Sequence, residues 1–328
     1  MTVREDAMDR RVVNDDAAGA VIIEATRMVT DRVVHLTLRR ADGERLPDWT
    51  PGSHIDLVLA DGTTRQYSLL GDPRDAYHYE IAVLREPGGR GGSRFVHDVL
   101  KAGDAVDVGG PRNNFRLAPS PRYRFIAGGI GITPMLPMLR AAAEMGAEWE
   151  LLYLGRSLTS MPFADDLRDE HGERVRVHTS ENGRLDVAAW IGAFDPGVKV
   201  YTCGPVSLID AVVEATAAWR PGWSRVERFE ASDLGDAART TAFEVEVDGT
   251  GRSITVEPGV AVATALREAG FDLLTSCSRG VCGTCETDVV GGDPDHRDAI
   301  LDDAERAAGN CFFPCVSRSK SDRLVIAL

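Results

Sequence analysis

Basic side chains, cysteines and long apolar runs are all scarce in this sequence, and each shortage closes off a class of function. Lys and Arg number 37 against 51 Asp and Glu, leaving a formal net charge of −14. That balance argues against nucleic acid as a partner and suits a basic protein surface, although plain solubility accounts for any single acidic patch. No stretch approaches the roughly 20 apolar residues that a membrane span needs. Residues 1–19 mix Arg, Asp and Glu without an apolar run, so they read as a polar lead-in and not as a signal peptide. The expected location is the cytoplasm, with no membrane partner. Thiols stay reduced there, and the 6 cysteines are expected to bind metal rather than to form disulfides. What remains is an ordinary apolar content spread over 328 residues, too long for one small core. A chain of that length suggests roughly two or three domains.

The scarce cysteines are concentrated. Cys277-Ser-Arg-Gly-Val-Cys282-Gly-Thr-Cys285 has the spacing C-x4-C-x2-C, and Cys315 follows after 29 further residues. Two irons bridged by two sulfides need four thiolates converging on one small volume, which a tight loop and one later cysteine can supply. The loop must turn sharply. Gly280 and Gly283 permit that, since glycine accepts positive φ and lets backbone N–H groups approach the sulfurs. Ser276, Ser278 and Thr284 add hydroxyl donors. Zinc is the rival, but its sites usually come as paired C-x2-C knuckles, and here only Cys282 and Cys285 are so spaced. Free core thiols would not gather three cysteines within nine residues. The loop therefore reads as a plant-type 2Fe-2S site. For the fourth ligand both Cys311 and Cys315 are in range. The 29-residue gap and the steady backbone of a following terminal strand favour Cys315, whereas Cys311 follows a flexible Gly-Asn pair and reads as a packing thiol.

Taken in order, the chain first shows short alternating segments at 21–23, 33–38, 54–59, 79–84 and 105–108. Turns at Asp42-Gly43, Pro51-Gly52 and Asp61-Gly62 separate them. Regular short strands imply a small antiparallel barrel, whose chemistry belongs at strand ends and loops. Arg65-Gln66-Tyr67-Ser68 stands at such an end. An arginine can hold a phosphate, a tyrosine can cover a flat ring, and a serine hydroxyl can reach a ring nitrogen. Glu86-Pro-Gly-Gly-Arg-Gly-Gly-Ser93 is a glycine-dense loop ahead of a short helix at 94–100. Such a loop suits a phosphate, because exposed N–H groups and the helix dipole favour negative charge, though an ordinary solvent loop has the same composition. His54 and His97 read as structural.

Near Pro119 the pattern changes. Arg124-Phe-Ile-Ala-Gly-Gly-Ile-Gly-Ile-Thr-Pro134 is a buried strand, a turn through Gly128, Gly129 and Gly131, and a helix expected to be capped by Thr133 with Pro134 at its first position. That order starts a dinucleotide-binding unit, although Pro134 stands at the third glycine position of the full fingerprint. Strands at 150–154, 174–178 and 198–202 alternate with helices at 163–170 and 207–219. The alternation gives an open α/β sheet, which binds ligands at the carboxyl ends of its strands. Residues 129–133 and Thr202-Cys203-Gly204-Pro205 both lie there, so Cys203 is either a small packing residue or a polarisable atom beside a nicotinamide. Residues 231–241 are polar and small and read as a linker. Beyond them a hairpin at 243–257, a helix at 262–268 and a terminal strand at 323–328 frame the cysteine loop in its own domain. No internal repeat or low-complexity tract is visible.

A flat-ring site, a dinucleotide site and a one-electron cluster in one chain form a converter. A nicotinamide gives up two electrons as a hydride, an iron–sulfur cluster accepts one, and a flavin deals with both.

In this order the motifs resemble the phthalate dioxygenase reductase family of the ferredoxin-NADP reductase superfamily, over residues 20–328. The resemblance is carried by Arg65-x-Tyr67-Ser68, Gly89-Arg-Gly-Gly-Ser93, Pro111-Arg-Asn-Asn-Phe115, Gly128-Gly-Ile-Gly-Ile-Thr-Pro134, Cys203-Gly-Pro205, the cysteine loop, Asp293-Pro-Asp-His-Arg-Asp298 and Cys315-Val-Ser-Arg318. It implies a multidomain α+β chain. The expected parts are a lead-in at 1–18, a six-stranded antiparallel flavin-binding β-barrel at 19–118, and a parallel-sheet α/β nicotinamide domain at 119–230. A linker at 231–241 and a β-grasp 2Fe-2S ferredoxin domain at 242–328 complete it. The resemblance implies FMN rather than FAD, held by Arg65, Gln66, Tyr67, Ser68, Val83, Gly91, Gly92 and Ser93, with Phe229 over the ring. It implies a nicotinamide site of Gly129, Gly131, Thr133, Pro134, Arg156, Ser157, Cys203, Gly204 and Pro205, with Ser68, Cys203 and Phe229 nearest the chemistry. Cys277, Cys282, Cys285 and Cys315 would hold the cluster. NADH is the implied donor. The strand end Leu154-Gly-Arg156-Ser157 nevertheless lacks the carboxylate that usually holds a 2′-hydroxyl, which leaves NADPH open. The expected function is the reductase component of a multi-component oxygenase, passing electrons from NAD(P)H through FMN and the cluster to a separate terminal oxygenase. A haem-thiolate monooxygenase as acceptor and a non-catalytic redox sensor are the rival readings.

Overall fold

The structure is a computed structural model that describes residues 19–59, 63–89, 91–230, 237–301 and 303–328. The expected lead-in, the turn at Asp61-Gly62, Arg90 of the glycine loop and residues 231–236 of the expected linker lie outside the described residues.

Period-two alternation organises the first part. It contains β1 (Gly19–Thr30), β2 (Val33–Arg40), β3 (His54–Val58), β4 (Thr64–Ser68), β5 (Tyr79–Leu84), α1 (Gly92–Asp98) and β6 (Ala105–Arg112). Val21, Ile23, Leu36, Leu38, Tyr79 and Ile81 turn to one side and form a common core, because alternate side chains leave a strand on opposite faces. The strands pair antiparallel in the order β4-β3-β6-β1-β2-β5. A bridge between Leu69 and Ile81 then joins the two ends of that order, closing the sheet into a six-stranded barrel. His97 is structural here, its Nε2 lying 2.9 Å from the Val83 carbonyl.

The second part contains β7 (Arg122–Gly128), α2 (Met135–Glu144), β8 (Glu148–Gly155), α3 (Ala164–His171), β9 (Val175–Thr179), α4 (Val187–Ile191), β10 (Val198–Cys203), α5 (Val206–Thr216) and β11 (Ser224–Glu227). The sheet is parallel throughout, in the order β11-β10-β7-β8-β9. β7 buries Phe125, Ile126 and Ala127 completely, as a central parallel strand covered on both faces must. The chain builds outward from β7 to β9 and then returns to the far side of β7, so the strand order reverses between β7 and β10. A crevice opens at such a switch point, at the carboxyl ends of the strands. Sequence reasoning misses β11, since Ser224-Arg-Val-Glu227 has no apolar alternation and becomes a strand only by pairing with β10. Thr133 is also corrected. A tight turn at Gly129–Ile132 precedes α2, and the Thr133 hydroxyl donates to the Ile130 carbonyl at 2.9 Å instead of capping the helix. Pro134 stands just before the helix and not at its first position.

The third part contains β12 (Phe243–Val247), β13 (Arg252–Val256), α6 (Val262–Glu268), β14 (Thr287–Gly291), β15 (Pro294–Asp295), α7 (Asp303–Ala308), β16 (Cys311–Phe312), β17 (Arg318–Ser319) and β18 (Arg323–Ala327). The order β13-β12-β18-β14-β16 puts the first and last strands of this part side by side and parallel. α6 buries Val262, Ala265 and Leu266 against Val245, Phe312 and Leu324, which makes a β-grasp. Residues 237–241 belong with this part: the Ala238 N–H donates to Asp295 Oδ2 at 3.0 Å, and Arg239 pairs with Asp322 at 2.5 Å. Among the described residues no helix is long and apolar enough to cross a membrane.

Candidate functional site

A cavity of about 1560 Å³ lies between the barrel and the parallel sheet and reaches the cysteine loop. Pockets for one small molecule usually measure about 300–1,000 Å³, so this one has room for more than one ligand. At its barrel end β4 presents Arg65, Gln66, Tyr67 and Ser68. Ser68 is buried, and its hydroxyl has no hydrogen-bond partner within the protein, so it can serve a polar atom of a ligand. Tyr67 packs on the barrel core, and burial raises the pKa of its phenol, which stays neutral. Gln66 Nε2 donates to Asp56 Oδ1 at 3.1 Å. Gly92 lies against the Arg65 side chain, and a Cβ at that position would come within 2.5 Å of Nε. Glycine thus lets a guanidinium lie along the loop that carries Ser93, a cationic cradle suited to a phosphate. Ser93 Oγ accepts from the Glu86 N–H at 3.1 Å and folds the loop back. The orphaned serine hydroxyl and the cradle both fit a flavin. Two expected contacts turn elsewhere. Val83 faces the barrel core, strand alternation putting Ala82 and Leu84 on the cavity instead, and Gly91 is the turn residue before α1.

At the switch point, Gly129, Thr133, Gly204 and Pro205 line the cavity, while Gly131 and Pro134 stand behind them. Gly131 is a packing necessity: a Cβ there would meet the Cys203 carbonyl oxygen at 2.4 Å. Gly129 instead has φ +54 with open space around it. The Tyr153 hydroxyl lies 3.0 Å from the carbonyls of both Gly129 and Pro162, tying the turn to the loop beyond β8. Cys203 is completely buried, and its thiol points toward Glu227 Oε2 at 3.8 Å. Burial pushes the Glu227 carboxyl up to about 8 and, with Glu227 beside it, holds the Cys203 thiol well above its ordinary value. It is Glu227 that lines the cavity, followed by Phe229, whose ring also packs on the core shared with Tyr201. Sequence reasoning misses Glu227 because it ends a strand with no pattern of its own; its position two residues before Phe229 is the one available signal.

Farther along, Arg156 lines the cavity but Ser157 does not. Ser157 is used in a reciprocal cap with Ser160 around the turn at Leu158–Ser160. Ser160, Ser180 and Arg184 join Arg156 on the wall, and sequence reasoning missed all three. Asp186 also lines this end, though one of its carboxylate oxygens accepts from the Ala189 N–H at 2.9 Å as the cap of α4.

Arg279 and Val281 close the cavity from the cysteine loop. Cys277, Cys282 and Cys285 are buried and Cys315 half-buried. Cys277 lies beside Cys282 and Cys285 beside Cys315, so the four thiols fall into two neighbouring pairs. The neighbouring Cys282 thiol pulls that of Cys277 down to about 6, and Cys285 lowers the Cys315 thiol below its ordinary value. Among the described residues no three His, Cys, Asp or Glu side chains close on a single-ion position. Two pairs suit two irons, each taking two thiolates. Backbone donors already face the sulfurs: Arg279 N–H lies 3.3 Å from Cys277 Sγ, and Thr284 N–H 3.4 Å from Cys282 Sγ. Cys311 belongs to β16, opposite Asp288, and its neighbours are carboxylates rather than the other cysteines.

The 2Fe-2S iron-sulfur cluster binding domain family matches residues 245–320. A phenoxybenzoate dioxygenase subunit beta from Ectopseudomonas oleovorans is 40% identical over 309 residues, covering 93% of this chain and 96% of its own. The solved structure titled "phthalate dioxygenase reductase: a modular structure for electron transfer from pyridine nucleotides to [2Fe-2S]" matches with a TM-score of 0.68 and 34% identity, over 94% of this chain and 97% of that one. An intact type IV self-sufficient cytochrome P450 monooxygenase matches with a TM-score of 0.89 and 39% identity. That match covers 98% of this chain but only 43% of the longer protein.

Proposed function

From the premise that the chain belongs to the phthalate dioxygenase reductase family and is a reductase component of a multi-component oxygenase, we propose how its residues divide the work. The observation that carries the proposal is the shared cavity: Ser68 from the barrel, Gly204, Glu227 and Phe229 from the parallel sheet, and Arg279 and Val281 from the cysteine loop all face one space. A flavin and a 2Fe-2S cluster, when bound, supply the conversion of a hydride donor's electron pair into single electrons. Each NAD(P)H oxidised to NAD(P)+ releases two electrons and a proton, and two one-electron acceptors are reduced.

The flavin would be FMN, with Arg65, Gly92 and Ser93 holding its phosphate, Tyr67 and Ser68 holding its ring, and Phe229 covering the ring on the nicotinamide side. The unpartnered Ser68 hydroxyl would serve a polar atom of that ring. Gly129, Thr133, Gly204 and Pro205 receive the nicotinamide half of the donor, with the Cys203–Glu227 pair behind it. The donor is NADH, and NADPH is accepted as well, since Arg156, Ser160, Ser180 and Arg184 offer cations and hydroxyls where a 2′-phosphate would lie. Cys277, Cys282, Cys285 and Cys315 ligate the cluster. The working units are 19–118, 119–230 and 242–328, with residues 237–241 packed on the last of them, and the chain works in the cytoplasm. Electrons leave to a separate terminal oxygenase, of Rieske type. The likeness to a self-sufficient P450 favours a haem-thiolate monooxygenase as a second reading, and reconstitution with each acceptor separates the two.

Heat-released cofactor should be FMN at one equivalent per chain, and NAD(P)H should reduce ferricyanide and cytochrome c catalytically. Recovery of FAD would overturn the flavin assignment. Absence of turnover would overturn the reductase reading in favour of a redox sensor.

A further inference from the structure

The segment Pro111-Arg-Asn-Asn-Phe115 leaves β6 and touches all three parts of the molecule. Arg112 pairs with Asp56 inside the barrel. Asn113 Nδ2 donates to Thr50 Oγ1 at 2.8 Å and to the Pro51 carbonyl at 2.9 Å, while its Oδ1 accepts from the Phe115 N–H at 2.9 Å. Phe115 is buried in the core of the parallel-sheet part, its ring 5.5 Å from that of Tyr201. Asn114, held between these anchors, reaches across 168 positions of sequence and donates from Nδ2 to the Cys282 carbonyl at 3.0 Å. The fit is close on both sides. A Cβ on Gly283 would stand 2.6 Å from Asn114 Nδ2, and Gly283 also has φ +78.

A second contact runs beside the first. His54 lies on β3 opposite Ser68 in one register and opposite Arg112 in the other. It is buried, lines the cavity, and sets its imidazole against the same Cys282 backbone.

We propose that Asn114, supported by His54, is the latch that seats the cysteine loop against the flavin end of the cavity, and so is a positioning residue for electron transfer between flavin and cluster. The inference rests on the reductase reading. The two electrons of each NAD(P)H cross this seam singly on their way to two one-electron acceptors, so the loop's seating sets their path. A lost buried hydrogen bond loosens a local structure by about five- to tenfold in its opening equilibrium.

The test is Asn114→Leu, which removes the donor at similar volume, with Asn114→Ser as the smaller variant should the first fail to fold. Iron per chain and the visible spectrum should match the parent. Amide hydrogen exchange across 280–284 should accelerate by about five- to tenfold. On rapid mixing with NAD(P)H, flavin bleaching should keep its rate, while cluster bleaching slows by a comparable factor. Unchanged exchange, or faster exchange with unchanged cluster bleaching, would overturn the latch. A parent chain whose flavin and cluster do not bleach with NAD(P)H would overturn the reductase reading and the latch with it.

Discussion

Replacing Gly131 by alanine tests whether the switch-point turn is built by close approach. The added Cβ would stand 2.4 Å from the Cys203 carbonyl oxygen, 2.5 Å from its carbon and 2.7 Å from the Gly204 nitrogen, all backbone atoms with no rotamer to yield. Ordinary contact begins near 3.4 Å, so the two turns must separate by on the order of 1 Å. Overpacking of this kind costs about 1–3 kcal/mol. The larger effect is on geometry, because Gly204 and Pro205 line the end of the cavity proposed for the nicotinamide and a displacement of about 1 Å can reduce rate about a hundredfold. In steady-state ferricyanide reduction, kcat/KM for NAD(P)H should fall about ten- to a hundredfold in Gly131→Ala, with flavin and iron content unchanged. Gly129→Ala is the control. Its Cβ would meet nothing within 4 Å, so only the positive φ is penalised, at about 1–2 kcal/mol. A Gly131→Ala enzyme with the parent's kcat/KM, or one less affected than Gly129→Ala, would refute the argument from contact.

Cys311→Ser should keep the cluster absorbance and electron delivery, whereas Cys315→Ser should lose the cluster or hold a labile one; the reverse pattern in iron analysis would exchange the two assignments. Glu227 titrates from 4.5 when unfolded to about 8 when folded, so the folded state holds the extra proton and its contribution to stability declines as pH rises through that interval. Glu227→Gln should therefore show a flatter dependence of Tm on pH than the parent between those values, and parallel profiles would contradict the assigned shift. With a net charge of −14, delivery to basic cytochrome c should slow as salt rises, while reduction of anionic ferricyanide should not; equal slowing would leave the acidity as solubility alone. Arg156→Ala should raise the KM for NADPH more than that for NADH, and an equal rise would remove this arginine from 2′-phosphate recognition.

Local chemistry was legible in the sequence. The cysteine spacing, the glycine turn after β7 and the alternation of β1, β2 and β5 each fit within a few residues, where covalent geometry alone limits what the chain can do. The gap of 29 residues also favours Cys315 over Cys311 without coordinates; in the fold Cys315 lies beside Cys285, and Cys311 lies in β16. Alternation could have corrected Val83 as well, since a strand with Tyr79 and Ile81 inward must turn Val83 inward too. Other features had no local signature. β11 is a strand because β10 offers it hydrogen bonds, and Glu227 acquires its raised pKa from the burial that this pairing brings. Thr133 resembles a cap in sequence, but the turn before α2 offers its hydroxyl the Ile130 carbonyl. Gly283 reads in sequence as a turn glycine, Asn114 as part of a motif and His54 as structural, but only the meeting of the barrel and the cysteine loop brings the three together. Sequence by itself determined which chemistry each segment could hold, because a residue's own functional groups and its near neighbours suffice for that. Only the tertiary structure decided which segments face one cavity, because contacts between residues far apart in sequence depend on how whole sheets pack.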